Sequence, residues 1–279
     1  MTEKKFQAAA PSVIEMNDSD FESTETTAVY WLGSGGILIN SHGTIIMIDP
    51  VLCTDPNDSS KSETGQTLLV GSPIVPSKIK KIDAVLYTHS DYDHLGRLSA
   101  IGLSREGMLF HGTDFVANTL QSFNINDRNI QSHKIGSTFK IRDVEVTLTR
   151  ASHSWQENRP EFDWHFGPDD CCGFFIKTCD GNIWAPGDSK LLDEHLQMKE
   201  VDLMFIDFSN DEYHFGFDNA LLLANTMSNT ELIMYHYGTY YNPDKDAFNA
   251  NPKDVDGKIV NPDRLHILAP GEEYILKNK

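Results

Sequence analysis

Basic residues are scarce in this chain: lysine and arginine number 23 against 41 aspartates and glutamates, a formal charge of −18 over 279 residues. Such a surface repels phosphate backbones and anionic bilayers, which excludes nonspecific nucleic-acid binding and steering by a basic face. Cysteine is scarcer still. Cys53, Cys171, Cys172 and Cys179 include one adjacent pair and no C-x-x-C, so neither a zinc-knuckle spacing nor a secreted disulfide framework is present, and free thiols fit a reducing compartment. No apolar run approaches the roughly eighteen residues of a membrane span, and the opening "MTEKKFQAAAPSVIEMND" lacks the apolar stretch of a signal peptide. Repeats, low-complexity tracts and proline-, glycine- or serine-rich linkers are also missing. A soluble, cytoplasmic protein is expected, with one domain over residues 26–279 and a polar, loosely packed arm over residues 1–25.

What is present is a succession of short apolar runs. "AVYWL", "GILIN" and "TIIMID" are rich in β-branched and aromatic residues and are separated by the turn signals "GSGG" and "SHG", which predicts a meander of strands. Cys53 to Lys80 reads as a long loop with a short "TLLVGSPIV" insertion. From Ile82 strands alternate with helical periods. "IDAVLYT" and "LFHG" are strands, "TDFVANTLQSF" is an amphipathic helix, and "TFKIRDVEVTLTRAS" is two strands around Arg142 and Asp143. A second set follows: a hairpin turning at Asp180-Gly181, the strand "VDLMFID", the helix "FDNALLLANTM", the strand "ELIMYHY" and a closing strand pair in "RLHILAPGEEYIL". The pattern predicts an α/β protein of two packed β-layers with helices outside, an αββα sandwich.

Chemistry concentrates where apolar runs end. "THSDYDHLG" places His89, Asp91, Asp93 and His94 within six residues, directly after the buried strand "IDAVLY". Three further runs end in one metal-capable side chain each: His153 after "VTLTRAS", Asp188 after "NIWAPG" and His236 after "ELIMY". Taken singly, each has an ordinary reading as a strand-end polar residue or a helix cap. Together, two histidines and two aspartates at a buried strand end repel and are desolvated unless cations neutralise them. Imidazole nitrogens and carboxylate oxygens are ligands of zinc, manganese and iron, and four strand ends at one sheet edge supply enough of them for two cations.

These residues resemble the signature of the metallo-β-lactamase superfamily, H-x-H-x-D-H with a later histidine, aspartate and histidine. "VYWLGSGGILI", "KIDAVLYTHSDYDHLG", "NIWAPGDS", "FGFDNALLLA" and "MYHYGTY" are similar to the subgroup of L-ascorbate-6-phosphate lactonase and the N-acylphosphatidylethanolamine-hydrolysing phospholipase D. The resemblance implies the metallo-β-lactamase fold and two divalent ions. His89, Asp91 and His153 would bind one, and Asp93, His94 and His236 the other, with Asp188 bridging. A water shared by two such cations has its pKa lowered from about 15.7 toward about 7, giving a hydroxide that attacks a carbonyl or phosphorus centre. Asp93 is expected to hold that nucleophile and take its proton. Asp91 departs from the pattern, which has histidine there; a carboxylate favours manganese or iron relative to zinc.

The reading is therefore a binuclear metal-dependent hydrolase of a small lactone, ester or phosphoester. The alternatives are a diiron oxygen- or peroxide-handling protein and a binding protein with a decayed site. A small-molecule substrate is the expected partner, with no nucleic acid and no integral membrane association; a homo-oligomer is left open. Substrate residues are drawn from "SWQENRPEFDWHFGPDD", expected to hang over the metals with Arg159 meeting a phosphate or carboxylate. His165 and His214 are further candidates, and Tyr237, Thr239 and Tyr240 follow His236 toward the expected pocket mouth.

Overall fold

The structure, a computed structural model, describes residues 7–276. In chain order the strands are β1 (Ala28–Gly33), β2 (Gly36–Ser41), β3 (Thr44–Ile48), β4 (Thr54–Asp55), β5 (Asp58–Ser62), β6 (Ala84–Leu86), β7 (Leu109–Gly112) and β8 (Ile130–Ser132). They continue as β9 (Thr138–Ile141), β10 (Val144–Arg150), β11 (Cys172–Lys177), β12 (Asn182–Ala185), β13 (Leu203–Ile206), β14 (Glu231–Met234), β15 (Leu265–His266) and β16 (Glu273–Ile275). The helices are α1 (Arg97–Leu103), α2 (Asp114–Ser122), α3 (Asp193–Leu196), α4 (Phe217–Thr226) and α5 (Pro252–Val255).

Two seven-stranded sheets result, β16-β1-β2-β3-β6-β7-β8 and β15-β14-β13-β12-β11-β10-β9. Each is antiparallel at one side and parallel at the other, with the change at β3/β6 in the first and β12/β13 in the second. β1 shows why the strands read as unbroken apolar runs. Val29 and Trp31 join a cluster with Phe174 and Ile176 of β11, whereas Ala28, Tyr30 and Leu32 join another with Ala100 of α1 and Val116 of α2. A strand covered on both faces has no polar side to alternate. On the second sheet, Ala220, Leu223 and Ala224 of α4 close the outer layer. The sandwich expected from the sequence is present, and the meander β1-β2-β3 is antiparallel throughout.

Three expectations are corrected. The closing strand pair is split: β15 pairs with β14 in the second sheet and β16 with β1 in the first, so the segment crosses from one layer to the other. The loop from Cys53 to Lys80 contains the hairpin β4-β5, and Leu68 bridges to Tyr240. Over its described part the arm is packed, not loose. The Ala10, Ile14 and Met16 amides donate to Gly238 O, Pro270 O and Pro73 O at 2.9, 2.9 and 3.0 Å, and Met16 and Phe21 are buried. A polar, aperiodic segment can dock through its backbone, which hydrophobic periodicity does not report.

Candidate metal centre

The parallel halves of the sheets bring their carboxyl ends to one edge, and the residues just past those ends meet there. His89 to His94 follow β6, His153 follows β10, Asp188 follows β12 and His236 follows β14. The two sheets are tied at this edge by backbone bonds, His236 N to Ser34 O at 3.0 Å and Cys172 N to Thr88 O at 2.9 Å. All seven side chains are buried.

Asp188 Oδ2 is the centre of the arrangement. Around it stand the Nε2 atoms of His94 at 3.0 Å, His214 at 3.2 Å, His236 at 3.5 Å, and His89 and His153 at 3.9 Å. The donor atoms form overlapping compact sets, among them His89-Asp91-His153 and Asp93-His94-His236, with Asp49-His89-His94 and His153-Asp188-His214 sharing members with them. In the first, Asp91 Oδ2 lies 3.4 Å from His89 Nε2 and 3.1 Å from His153 Nε2; in the second, His236 Nε2 lies 3.4 Å from Asp93 Oδ2 and 3.1 Å from His94 Nε2.

Every one of the five rings is fixed through its other nitrogen. Nδ1 contacts Thr88 Oγ1 in His89 (2.9 Å), Asp49 Oδ2 in His94 (2.8 Å), Tyr213 O in His153 (3.0 Å), Asp207 Oδ2 in His214 (2.6 Å) and Ala247 O in His236 (3.2 Å). Anchoring one ring nitrogen to aim the other is how proteins orient imidazole ligands. His89 Nε2 and Asp188 Oδ1 are buried without a hydrogen-bond partner. Five inward nitrogens and three carboxylates, with one nitrogen and one carboxylate oxygen among them orphaned, are a donor set that fits cations.

The electrostatics agree. Burial works to raise the Asp188 pKa, but the His214, His236 and His94 rings prevail and hold it well below the usual carboxylate range. Burial likewise opposes charge on His94, yet Asp188 and Asp49 lift its pKa well above that of free histidine, and Asp188 and Asp207 do the same for His214. His89 goes the other way, lowered by burial and by the neighbouring His94. These shifts are those of carboxylates kept ionised at a site built for positive charge.

Backbone strain accompanies the geometry. Asp49 and His236 sit in the left-handed region at φ 46° and 59°, where residues with side chains are uncommon. Gly35 passes against the His94 ring so closely that a Cβ would lie 2.5 Å from Cε1, and at Gly187, beside Asp188, one would lie 2.7 Å from Cys172 O.

The seven expected metal-capable residues are thus brought together, and Arg159 and His214 line the same cleft of about 190 Å³. Three others are not. His165 is exposed and lines a neighbouring cleft of the same loop. Tyr237 is buried in the core with its ring stacked on Trp31 at 5.5 Å, because the left-handed turn at His236 sends the next side chain inward. Tyr240 lines a neighbouring cavity with Ser34 and Thr239, yet its ring lies 5.8 Å from that of Phe248 in the cleft wall, and burial, with the Asp93 charge adding to it, raises its pKa. The loop after His153 does cover the centre: Trp155 Nε1 donates to Asp91 Oδ2 at 2.6 Å, and the Phe166 ring lies 5.7 Å from that of His89. Sequence reasoning missed Asp49 and Asp207, although both end apolar runs, "TIIMID" and "VDLMFID", and so carry the signal that marked the others.

Residues 44–237 match the beta-lactamase superfamily domain, a span that contains all seven residues. The chain belongs to the beta-lactamase superfamily. Among relatives in the superfamily, a UPF0173 metal-dependent hydrolase of Methanosphaera stadtmanae is 27% identical over 246 residues, covering 85% of this chain and 94% of its own. Two solved structures share the fold. Isothiocyanate hydrolase from Delia radicum gut bacteria has a TM-score of 0.70 at 18% identity, over 90% of this chain and 99% of the other. Igni18, a metallo hydrolase from Ignicoccus hospitalis, has a TM-score of 0.67 at 19% identity, over 91% and 100%.

Proposed function

We propose that this superfamily member is a cytoplasmic, binuclear metal-dependent hydrolase acting on a small lactone, ester or phosphoester. The observation that carries the reading is the convergence of five anchored imidazole Nε2 atoms on Asp188 Oδ2, in two sets that each include a further carboxylate. The names of the hydrolase relatives support it. His89, Asp91 and His153 would hold one cation, Asp93, His94 and His236 the other, with Asp188 between them. Zinc, manganese and iron all suit nitrogen-oxygen donor sets, and the oxygen of Asp91 moves the first toward manganese or iron. Bound there, two such ions would supply Lewis acidity and an acidified water.

The chain's own residues do the rest. Asp93, whose carboxyl is held below the usual range as His236 and His94 outweigh its burial, is ionised and placed to accept the proton of an attacking water. Asp49 and Asp207 keep the His94 and His214 rings aimed at the centre, while Trp155 and Phe166 close its side and limit access of bulk water.

Metal analysis after loading with manganese, zinc or iron, followed by a screen over lactones, carboxylic esters and phosphoesters, tests the reading. Asp93→Asn is expected to lower turnover by about 10²–10⁴-fold with the fold retained. Unchanged turnover would remove Asp93 from the mechanism, and failure to take up any metal would remove the hydrolase reading itself. Asp91 also favours one second reading, a diiron oxygen-handling centre, which iron-loaded protein consuming oxygen in place of hydrolysing esters would select.

A further inference from the structure

Two cations line the cleft in a chain dominated by carboxylates. Arg159 lies on the His153 side, its Cζ 5.4 Å from the Trp155 ring centre and 5.7 Å from that of Tyr213. Lys245 lies on the His236 side, its Nζ 5.8 Å from the Tyr92 ring centre and 6.0 Å from that of Phe248, with a bond to the Tyr92 hydroxyl at 3.2 Å. Each ring set is itself tied to the centre. Tyr213 O holds His153, Trp155 holds Asp91, and Phe248 stacks on His236 at 5.5 Å.

Aromatic faces attract a cation without neutralising it, so they position its charge and leave its hydrogen-bond donors to a further partner. Among the described residues no ion pair engages Arg159 or Lys245. Of the rim carboxylate Asp211, Oδ1 accepts from the Tyr213 amide at 2.8 Å. In a chain with 41 acidic residues, and in a cleft that also holds Asp91, Asp93, Asp188 and Asp211, Arg159 and Lys245 are the arginine and lysine of the wall, set by rings beside the two histidine sets.

We infer that Arg159 and Lys245 form a clamp for an anionic group of the substrate, so that the substrate class is an ester, lactone or phosphoester carrying a phosphate or carboxylate. The inference rests on the hydrolase reading only for which bond is cleaved; the clamp itself is a binding site. The guanidinium offers a planar pair of donors to two oxygens of such a group, and the ammonium a point charge. The intervening rings suit a flat or apolar body between the oxyanion and the bond to be broken.

Calorimetric titration of metal-loaded protein with phenylphosphonate and with benzoate, using benzamide as the neutral comparison, tests the clamp. Wild-type protein should bind at least one of the two anions at least tenfold more tightly than benzamide, and the tighter anion identifies the group. Affinity should fall as salt rises from about 20 to about 300 mM. The double variant Arg159→Met, Lys245→Met should keep its metal content and lose at least tenfold in anion affinity. Arg159→Lys alone should lose part of it, since the charge stays and the paired donors go. Equal anion affinity in wild type and double variant, both fully loaded, would overturn the clamp and leave the hydrolase reading standing. If the protein takes up no metal the hydrolase reading falls, and the same titration of metal-free wild type and double variant still decides the clamp.

Discussion

At position 91 a carboxylate oxygen, Oδ2, accepts from Trp155 at 2.6 Å while facing His153 at 3.1 Å and His89 at 3.4 Å. Replacing it by imidazole, Asp91→His, should raise the zinc-to-manganese ratio bound from equal concentrations, because the set becomes softer and loses a negative charge. The change strands the Trp155 N–H and adds bulk beside it, costing about 1–3 kcal/mol, visible as a lower melting temperature. An unaltered metal ratio in a folded, loaded variant would place Asp91 outside the ligand set. At this scale the readable signal was an apolar run stopping at an acid or histidine, a signal that Asp49 and Asp207 also carry and that sequence reasoning missed there. Tyr237 was misplaced because its direction depends on one left-handed residue, His236, whose conformation no composition signal announces. Lys245 and Phe248 reach the cleft from a polar stretch with no periodicity at all.

Turns between elements position the clustered side chains as firmly as the strands do. The β1-β2 turn supplies Ser34 O to the His236 amide and, through Gly35, leaves room for the His94 ring. Gly35→Ala would set a methyl 2.5 Å from His94 Cε1, so the ring must shift away from both Asp49 and its partner atoms. A loss of about 10–100-fold in metal affinity is expected, of the size seen when support around a ligand is removed. Equilibrium competition with a chromophoric chelator reads it directly, and unchanged affinity would mean that His94 adapts. Strand identities and the meander could be read from β-branched runs and glycine turns. The partners of β15 and β16 could not, since strands of two and three residues carry no mark of which sheet they will join.

Across the whole molecule the two sheets are also joined away from the centre, where His111 of β7 and Phe139 of β9 stack at 4.5 Å and His111 Nδ1 meets His133 Nε2 at 2.9 Å. Burial, with His133 beside it, lowers the His111 pKa from 6.5 to about 3. The unfolded chain therefore binds the extra proton first, so this contribution is whole above about pH 6.5 and is lost as pH falls toward about 3. The full displacement corresponds to at most about 5 kcal/mol. In metal-free protein His111→Phe should flatten the decline of urea stability between pH 7 and pH 4.5, and identical slopes would refute the role. The docked arm sets a different constraint, one of timing. Gln7 bonds to Tyr240 O and Phe248 O across 233 and 241 residues, so this segment meets its partners only after everything between them has been synthesised. At about 5–20 residues per second that wait is roughly ten to fifty seconds. Through it a growing chain already displays the His89–His94 cluster, yet the segment bearing His236 does not exist and the arm has nothing to brace, so the cluster's two halves are separated in time as well as in sequence.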